Sequence, residues 1–237
     1  MRIWGSIVGS LGRLANGESL ASLLGLGVSR PDDGSHPGLR QVGFTIGIIA
    51  LGAKMAKVDG EVTHDEVDAF RSIFQVPPGE ERNVERFFDL AKRDSAGFET
   101  YARQVAALFP DAPEILENVL EGLFDIAKAD GKVGAAEAEY LAKVAEIFGL
   151  STARFERARA VALGMLECVP CTVLGIDPLA TDEQARDAWL RAVKANHPDR
   201  LIAQGLPEEA IQMANRKLAL INDAYDRLRR ERGLVAA

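Results

Sequence analysis

His197-Pro198-Asp199 places an imidazole, a rigid pyrrolidine ring and a carboxylate side by side. Proline lacks an amide hydrogen and pushes the residue before it out of the helical region, so a helix arriving here must end near Asn196 or His197. The imidazole and the carboxylate then flank a stiff corner with little entropy left to lose on binding. A carboxylate held in this way accepts charge-assisted hydrogen bonds from a partner's arginine. The chemistry on offer is recognition rather than bond making. The remaining histidines are His36 and His64, so a serine or cysteine triad has little to draw on, and the chain reads as a non-enzyme.

Two amphipathic segments must position this corner. Upstream, Thr181-Asp182-Glu183-Gln184 has the form of a capping box. Ala185, Ala188, Trp189, Ala192 and Val193 then repeat at helical spacing. Downstream, Pro207 suits a first helical position, with Glu208 and Glu209 in the first turn. Ile211, Ala214, Leu218, Ile221, Tyr225 and Leu228 form the second stripe, and Arg227, Arg229, Arg230 and Arg232 suit its C-terminal end. Facing stripes predict an antiparallel hairpin with the tripeptide at its exposed tip and Trp189, Ile221, Tyr225 and Leu228 in its core. Arg186, Arg191 and Lys194 give the first helix a modest positive face for an acidic partner surface.

From Cys171-Thr-Val-Leu-Gly-Ile-Asp-Pro to Arg232 the sequence resembles the J-domain of DnaJ-type co-chaperones. The match comprises a short helix ending in Val173-Leu174-Gly175, the helix ending in the tripeptide, and Ile221-Asn222-Asp223-Ala224-Tyr225. The stretches Leu201-Ile-Ala-Gln-Gly-Leu-Pro-Glu-Glu and Met213-Ala214-Asn215-Arg216-Lys217 resemble DjlA-like proteins in particular. The resemblance implies that His197, Pro198 and Asp199 engage a DnaK-type chaperone and trigger its ATP hydrolysis, while Arg186, Arg191 and Lys194 steer the approach. No Walker-type phosphate loop is present, so the hydrolysis belongs to the partner. Leu190 and Ala195 stand where the pattern is often basic, and Asn196 where an aromatic residue is common. The thinner positive face predicts a weaker and more salt-sensitive encounter.

Hydrophobic content of 47% and charged content of 27% describe a folded globular protein. The net charge of −7 is concentrated in residues 41–152, which hold 20 acidic and 11 basic residues. An acidic middle with no basic stripe argues against nucleic acid as a partner. The same region repeats itself. Ala53 to Val62 aligns with Phe124 to Val133, both containing Ala-Lys-x-Asp-Gly, and Glu66 and Phe70 meet Glu137 and Leu141 in that register. Each unit reads as helix, Asp-Gly turn, helix, with further helices from Phe87, Phe88 and Leu90 and from Tyr101, Val105, Leu108 and Phe109 between them. The predicted fold class is all-α: a helical domain with internal two-fold similarity, followed by the hairpin.

Both Asp-Gly units resemble the TerB-like domain, which precedes the J-domain in DjlA-like proteins. That resemblance implies a localising or client-binding role, with the client unspecified. It also raises a divalent metal at Asp59, Glu61 and Glu66 and at Asp130 and Glu137, because hard cations want several oxygen ligands. Otherwise no cofactor is expected. Asp-Gly is equally a turn signal, Thr63-His64-Asp65-Glu66 a capping box, and neither unit has the spacing of an EF-hand loop.

The expected organisation is an amphipathic segment and linker (1–41), a TerB-like domain (42–150), a connecting helix (151–169) capped by Ser151, and the J-domain (170–234). Cys168 and Cys171 lack the two further ligands of a structural zinc site, and Cys171 is expected in the core. DjlA-like proteins are expected to carry an N-terminal membrane anchor, yet no apolar run reaches the ~18–20 residues a span needs. Trp4, Ile7, Val8, Leu11 and Leu14 at helical spacing, followed by Leu20, Leu23, Leu24 and Leu26, suit peripheral membrane contact. The expected location is cytoplasmic, or peripheral on the inner face of the membrane. The rival reading is a TerB-like stress or envelope-associated scaffold whose J-like hairpin binds partners without stimulating ATPase.

Overall fold

Pro113 stands at the first position of a helix whose Ile115, Leu116, Val119, Leu120, Leu123, Phe124 and Ile126 are all buried, and several other helices pack against it. The computed structural model describes residues 37–55, 58, 82, 97–129, 131–163, 169–206 and 208–234. Every regular element among them is a helix: α1 (Pro37–Met55), α2 (Phe98–Leu108), α3 (Pro113–Ala127), α4 (Ala135–Ile147), α5 (Thr152–Leu163), α6 (Val169–Leu174), α7 (Asp182–Ala195), α8 (Pro198–Ala203) and α9 (Glu208–Glu231). The all-α expectation holds.

Helices α1 to α4 form the first layer of packing. Phe44, Ile48, Ile49 and Leu51 of α1 meet Tyr101 and Val105 of α2, and Phe44 packs edge-on against Phe109 with ring centroids 5.3 Å apart. Close approach of α1 and α2 depends on Gly47, where a Cβ would lie 2.5 Å from Val105 Cγ2. Tyr140 of α4 donates from its hydroxyl to the carbonyl of Leu51 at 2.8 Å, which satisfies a buried polar group. Burial drives the Tyr140 phenol well above its ordinary value, with Glu99 adding in the same direction.

Helix α5 lies on α3, with Ala158 fully buried and Phe155 tilted against Phe124 at 5.9 Å. Ser151 Oγ accepts from the Arg154 N–H, as expected of a cap; residues 164–168 lie outside those described.

Helices α6, α7 and α9 form the hairpin with its own small core of Cys171, Val173, Leu174, Ala185, Ile221, Ala224 and Leu228. Thr181 Oγ1 accepts from the Gln184 N–H at 3.2 Å while Gln184 Oε1 accepts from the Thr181 N–H at 2.8 Å, so the capping box is formed. Trp189 stacks on Tyr225 at 4.7 Å and donates through Nε1 to Asn222 Oδ1; both rings are half-buried rather than central. Arg232, just past the end of α9, pairs with Asp182 at the start of α7 at 2.8 Å, which fixes the antiparallel arrangement. Gly175 ends α6 with φ of +67°, a conformation that favours glycine, and its missing Cβ leaves room for Arg157 Nη1.

The two cores are not symmetric about the domain boundary. Leu201 of α8, Leu206, and Ala210, Ile211, Met213 and Ala214 of α9 join the contiguous core of α1 to α5, not that of the hairpin. The tip end of the hairpin is therefore built into the first domain.

Candidate functional site

The tripeptide sits where two helices meet almost without a loop. Helix α7 stops at Ala195, with Asn196 as its C-cap at φ −102°, ψ 11°. His197 is extended at φ −67°, ψ 128° and serves as the N-cap of α8, whose first residue is Pro198. The ring nitrogen Nδ1 of His197 accepts from the Asp199 N–H at 3.2 Å. That bond ties the imidazole to the first turn of α8. The His197 carbonyl accepts from the N–H groups of Arg200 at 3.1 Å and Leu201 at 3.3 Å. Proline ends one helix by its effect on residue 197 and begins the next because its ring is set for a first helical position. The short helix α8 is a feature the sequence reading lacked.

The ionisable side chains of the tripeptide face solvent. The His197 side chain is 48% exposed and that of Asp199 86%, with 3.8 Å between Nδ1 and Oδ2. Pro198 is half-buried. Arg186 and Lys194 are exposed on α7, one turn either side of the exposed Leu190. Arg191, also exposed, borders a cleft between α3 and α7 that is lined as well by Glu117, Asn118, Arg157, Asn196 and Lys217. The structure thus leaves Arg186 and Lys194 exposed two turns apart along α7 and sets Arg191 at the cleft facing the first domain.

Both neighbours of the tripeptide are held by α3. Asn118 Nδ2 donates to Asn196 Oδ1 at 2.9 Å, and Asn196 Nδ2 donates to the Ala192 carbonyl at 2.9 Å. On the other side, Arg200 pairs with Glu114 at 3.2 Å. Two turns along from Glu114, Glu121 pairs with Lys217 of α9, both nearly buried. Burial raises the Glu121 carboxyl above its ordinary value even though Lys217 pulls it down. Glu117, between these residues, pairs with Arg157 at 2.6 Å and Arg154 at 3.2 Å. Sequence reasoning missed Glu114, Asn118 and Arg200. The available signal was a polar stripe at 114, 117, 118, 121 and 125 on an otherwise apolar helix.

Of the proposed metal ligands, Asp59, Glu61, Glu66 and Asp130 lie outside the described residues. Glu137 is buried, and its Oε2 accepts from the Gly134 N–H at 2.7 Å at the start of α4. That oxygen is committed to its own helix, as the reading of such carboxylates as capping groups anticipates. Among the described residues no group of three His, Cys, Asp or Glu side chains could hold a metal ion. Among them, too, no helix is long and apolar enough to cross a membrane. Cys171 is buried as a free thiol; Cys168 lies outside the described residues.

The fold and site define an all-helical protein in which a TerB-type region leads into a hairpin tipped by His-Pro-Asp. The family model for tellurite resistance protein TerB matches residues 45–160, ending within α5. The chain is 23% identical to the co-chaperone protein DjlA of Escherichia coli K12, over 98% of this chain and 99% of that protein. It is 27% identical to DjlA of Coxiella burnetii over 76% of this chain and 74% of the relative. With DjlA of Shewanella oneidensis the identity is 32% over 51% of each. No solved structure matches the chain. The chain is thus similar to DjlA proteins, to one of them over nearly its whole length.

Proposed function

We propose that this chain is a DnaJ-type co-chaperone whose His197-Pro198-Asp199 loop stimulates ATP hydrolysis by a DnaK-type chaperone. The observation that carries the reading is the exposure of His197 and Asp199 at the junction of α7 and α8, beside the exposed cations Arg186 and Lys194. The similarity to proteins named as co-chaperones agrees with it. Asp199 supplies the ionic anchor for a partner arginine, Pro198 the rigid corner, and His197 packing or a hydrogen bond. Arg186, Arg191 and Lys194 speed the encounter with an acidic surface. The bond making belongs to the partner, so the chain acts as a regulator and not as an enzyme.

The TerB-like region localises the protein or binds a client. Residues 1–36 contain the amphipathic segment proposed to touch the membrane surface from the cytoplasmic side. Binding to liposomes in a flotation gradient tests that part, and material left wholly at the bottom counts against it. No cofactor is required. A divalent ion at Asp59, Glu61, Glu66, Asp130 and Glu137 would show as a higher melting temperature with calcium or zinc, and no shift at millimolar metal removes it.

The test of the main reading is steady-state ATPase of a DnaK-type chaperone titrated with the wild-type chain and with Asp199→Asn. Saturable stimulation that the variant lacks supports it. Equal curves for both proteins sink it.

A further inference from the structure

The tripeptide has a neighbour on each side, and each neighbour is tied to the first domain. Asn196, immediately before it, is 5% exposed and bonded to Asn118. Arg200, immediately after it, is paired with Glu114. Glu114 and Asn118 are four residues apart on α3, so their side chains share one helix face. One residue beyond Arg200, Leu201 is 2% exposed within the core of the first domain. Further along the same face, Glu121 holds Lys217 of α9. The backbone is pinned on both flanks while the His197 and Asp199 side chains stay open to solvent.

We propose that helix α3 of the TerB-like region is the positioning element of the His-Pro-Asp loop, acting through Glu114 and Asn118. The proposal rests on the co-chaperone reading above and deepens it, since it makes the first domain part of the machinery that presents the loop. Masking would cover the recognition side chains; here they are exposed and only their supports are bound. Residues ordered before an encounter cost less entropy when a partner docks. Glu114 and Asn118 touch no partner themselves and act through Arg200 and Asn196.

The test uses the full chain with Glu114→Gln, Asn118→Ala and the pair combined. Tyr140→Phe is the control, because it removes a buried hydrogen bond to Leu51 in the same core without touching the loop. Two readouts are needed. The first is hydrogen exchange at the amides of Asp199, Arg200 and Leu201, all of which donate to His197. The second is the concentration giving half-maximal stimulation of a DnaK-type ATPase. Loss of one such hydrogen bond is expected to speed exchange and raise the half-maximal concentration by about fivefold each, with the maximal rate unchanged. Tyr140→Phe moves neither. Unchanged exchange in the combined variant overturns the proposal whatever the ATPase does. Faster exchange with equal or stronger stimulation also overturns it, because α3 then restrains the loop rather than presenting it. A wild-type chain with no effect on the ATPase sinks the co-chaperone reading instead, and the exchange arm alone then supports or overturns the brace.

Discussion

Asn118 and Asn196, 78 residues apart, share a buried hydrogen bond of 2.9 Å in which Nδ2 of the first donates to Oδ1 of the second. Asn196 donates one side-chain amide hydrogen to the Ala192 carbonyl, which orients its oxygen towards α3. Asn118→Ala leaves that oxygen buried without its donor, at a cost of about 1–3 kcal/mol. Urea unfolding of the two proteins measures it. A difference near zero would mean that water replaces the lost amide and that the bond contributes nothing.

Lys217 and Glu121 make the pair between α9 and α3 sensitive to pH. The Glu121 carboxyl is raised by burial, so its stabilising contribution is fully present below the ordinary carboxylate value and is lost as pH rises through the raised one. Lys217→Met removes the cation that pulls the other way and leaves a buried carboxylate unpaired at neutral pH, costing about 3–5 kcal/mol. Acidification protonates that carboxylate and relieves the cost. Melting curves of both proteins between neutral and mildly acidic pH should converge as pH falls. A constant gap would mean that the loss is one of packing and not of charge.

Gly175 makes the turn between α6 and the rest of the hairpin. An alanine there must hold φ near +67° and would place its Cβ 2.5 Å from Arg157 Nη1. Gly175→Ala should therefore destabilise by about 1–2 kcal/mol from the backbone alone. Displacing Arg157 would also loosen its pair with Glu117. Calorimetric melting checks this, and an unchanged melting temperature would contradict the positive φ.

Much of the hairpin was legible because its signals are local. Thr181 and Gln184 cap each other within one turn, and the apolar stripe from Ile211 to Leu228 lies along one helix. Cys171 was placed in the core, and it is buried. Helix α8 was not legible, because proline argues equally for an end and for a beginning. The choice falls to Leu201, whose burial in the first core is a tertiary effect. The polar stripe of α3 was hidden for a similar reason. The partners of Glu114, Glu117, Asn118 and Glu121 are Arg200, Arg157, Asn196 and Lys217, which come from distant parts of the chain and leave no local signal. Glu137, three residues after Gly134, caps its own helix, the local role that the capping alternative gave to Glu66 in the matching unit.

Leu190 is 44% exposed between Arg186 and Lys194 on the outer face of α7. A cation there would extend the positive face proposed to meet the partner. Leu190→Lys should raise the association rate with a DnaK-type chaperone at low salt, and the advantage should fade as ionic strength rises. Stopped-flow association across a salt series gives the answer. Equal rates at every salt concentration would place this face outside the encounter.

The most direct test of the central claim is single-turnover ATP hydrolysis by a DnaK-type chaperone with the wild-type chain and with His197→Gln. The side chain of His197 is 48% exposed, so the variant should keep the wild-type melting temperature closely. The account predicts faster hydrolysis with the wild type and the unstimulated rate with the variant. Equal stimulation by both, or none by either, would contradict it.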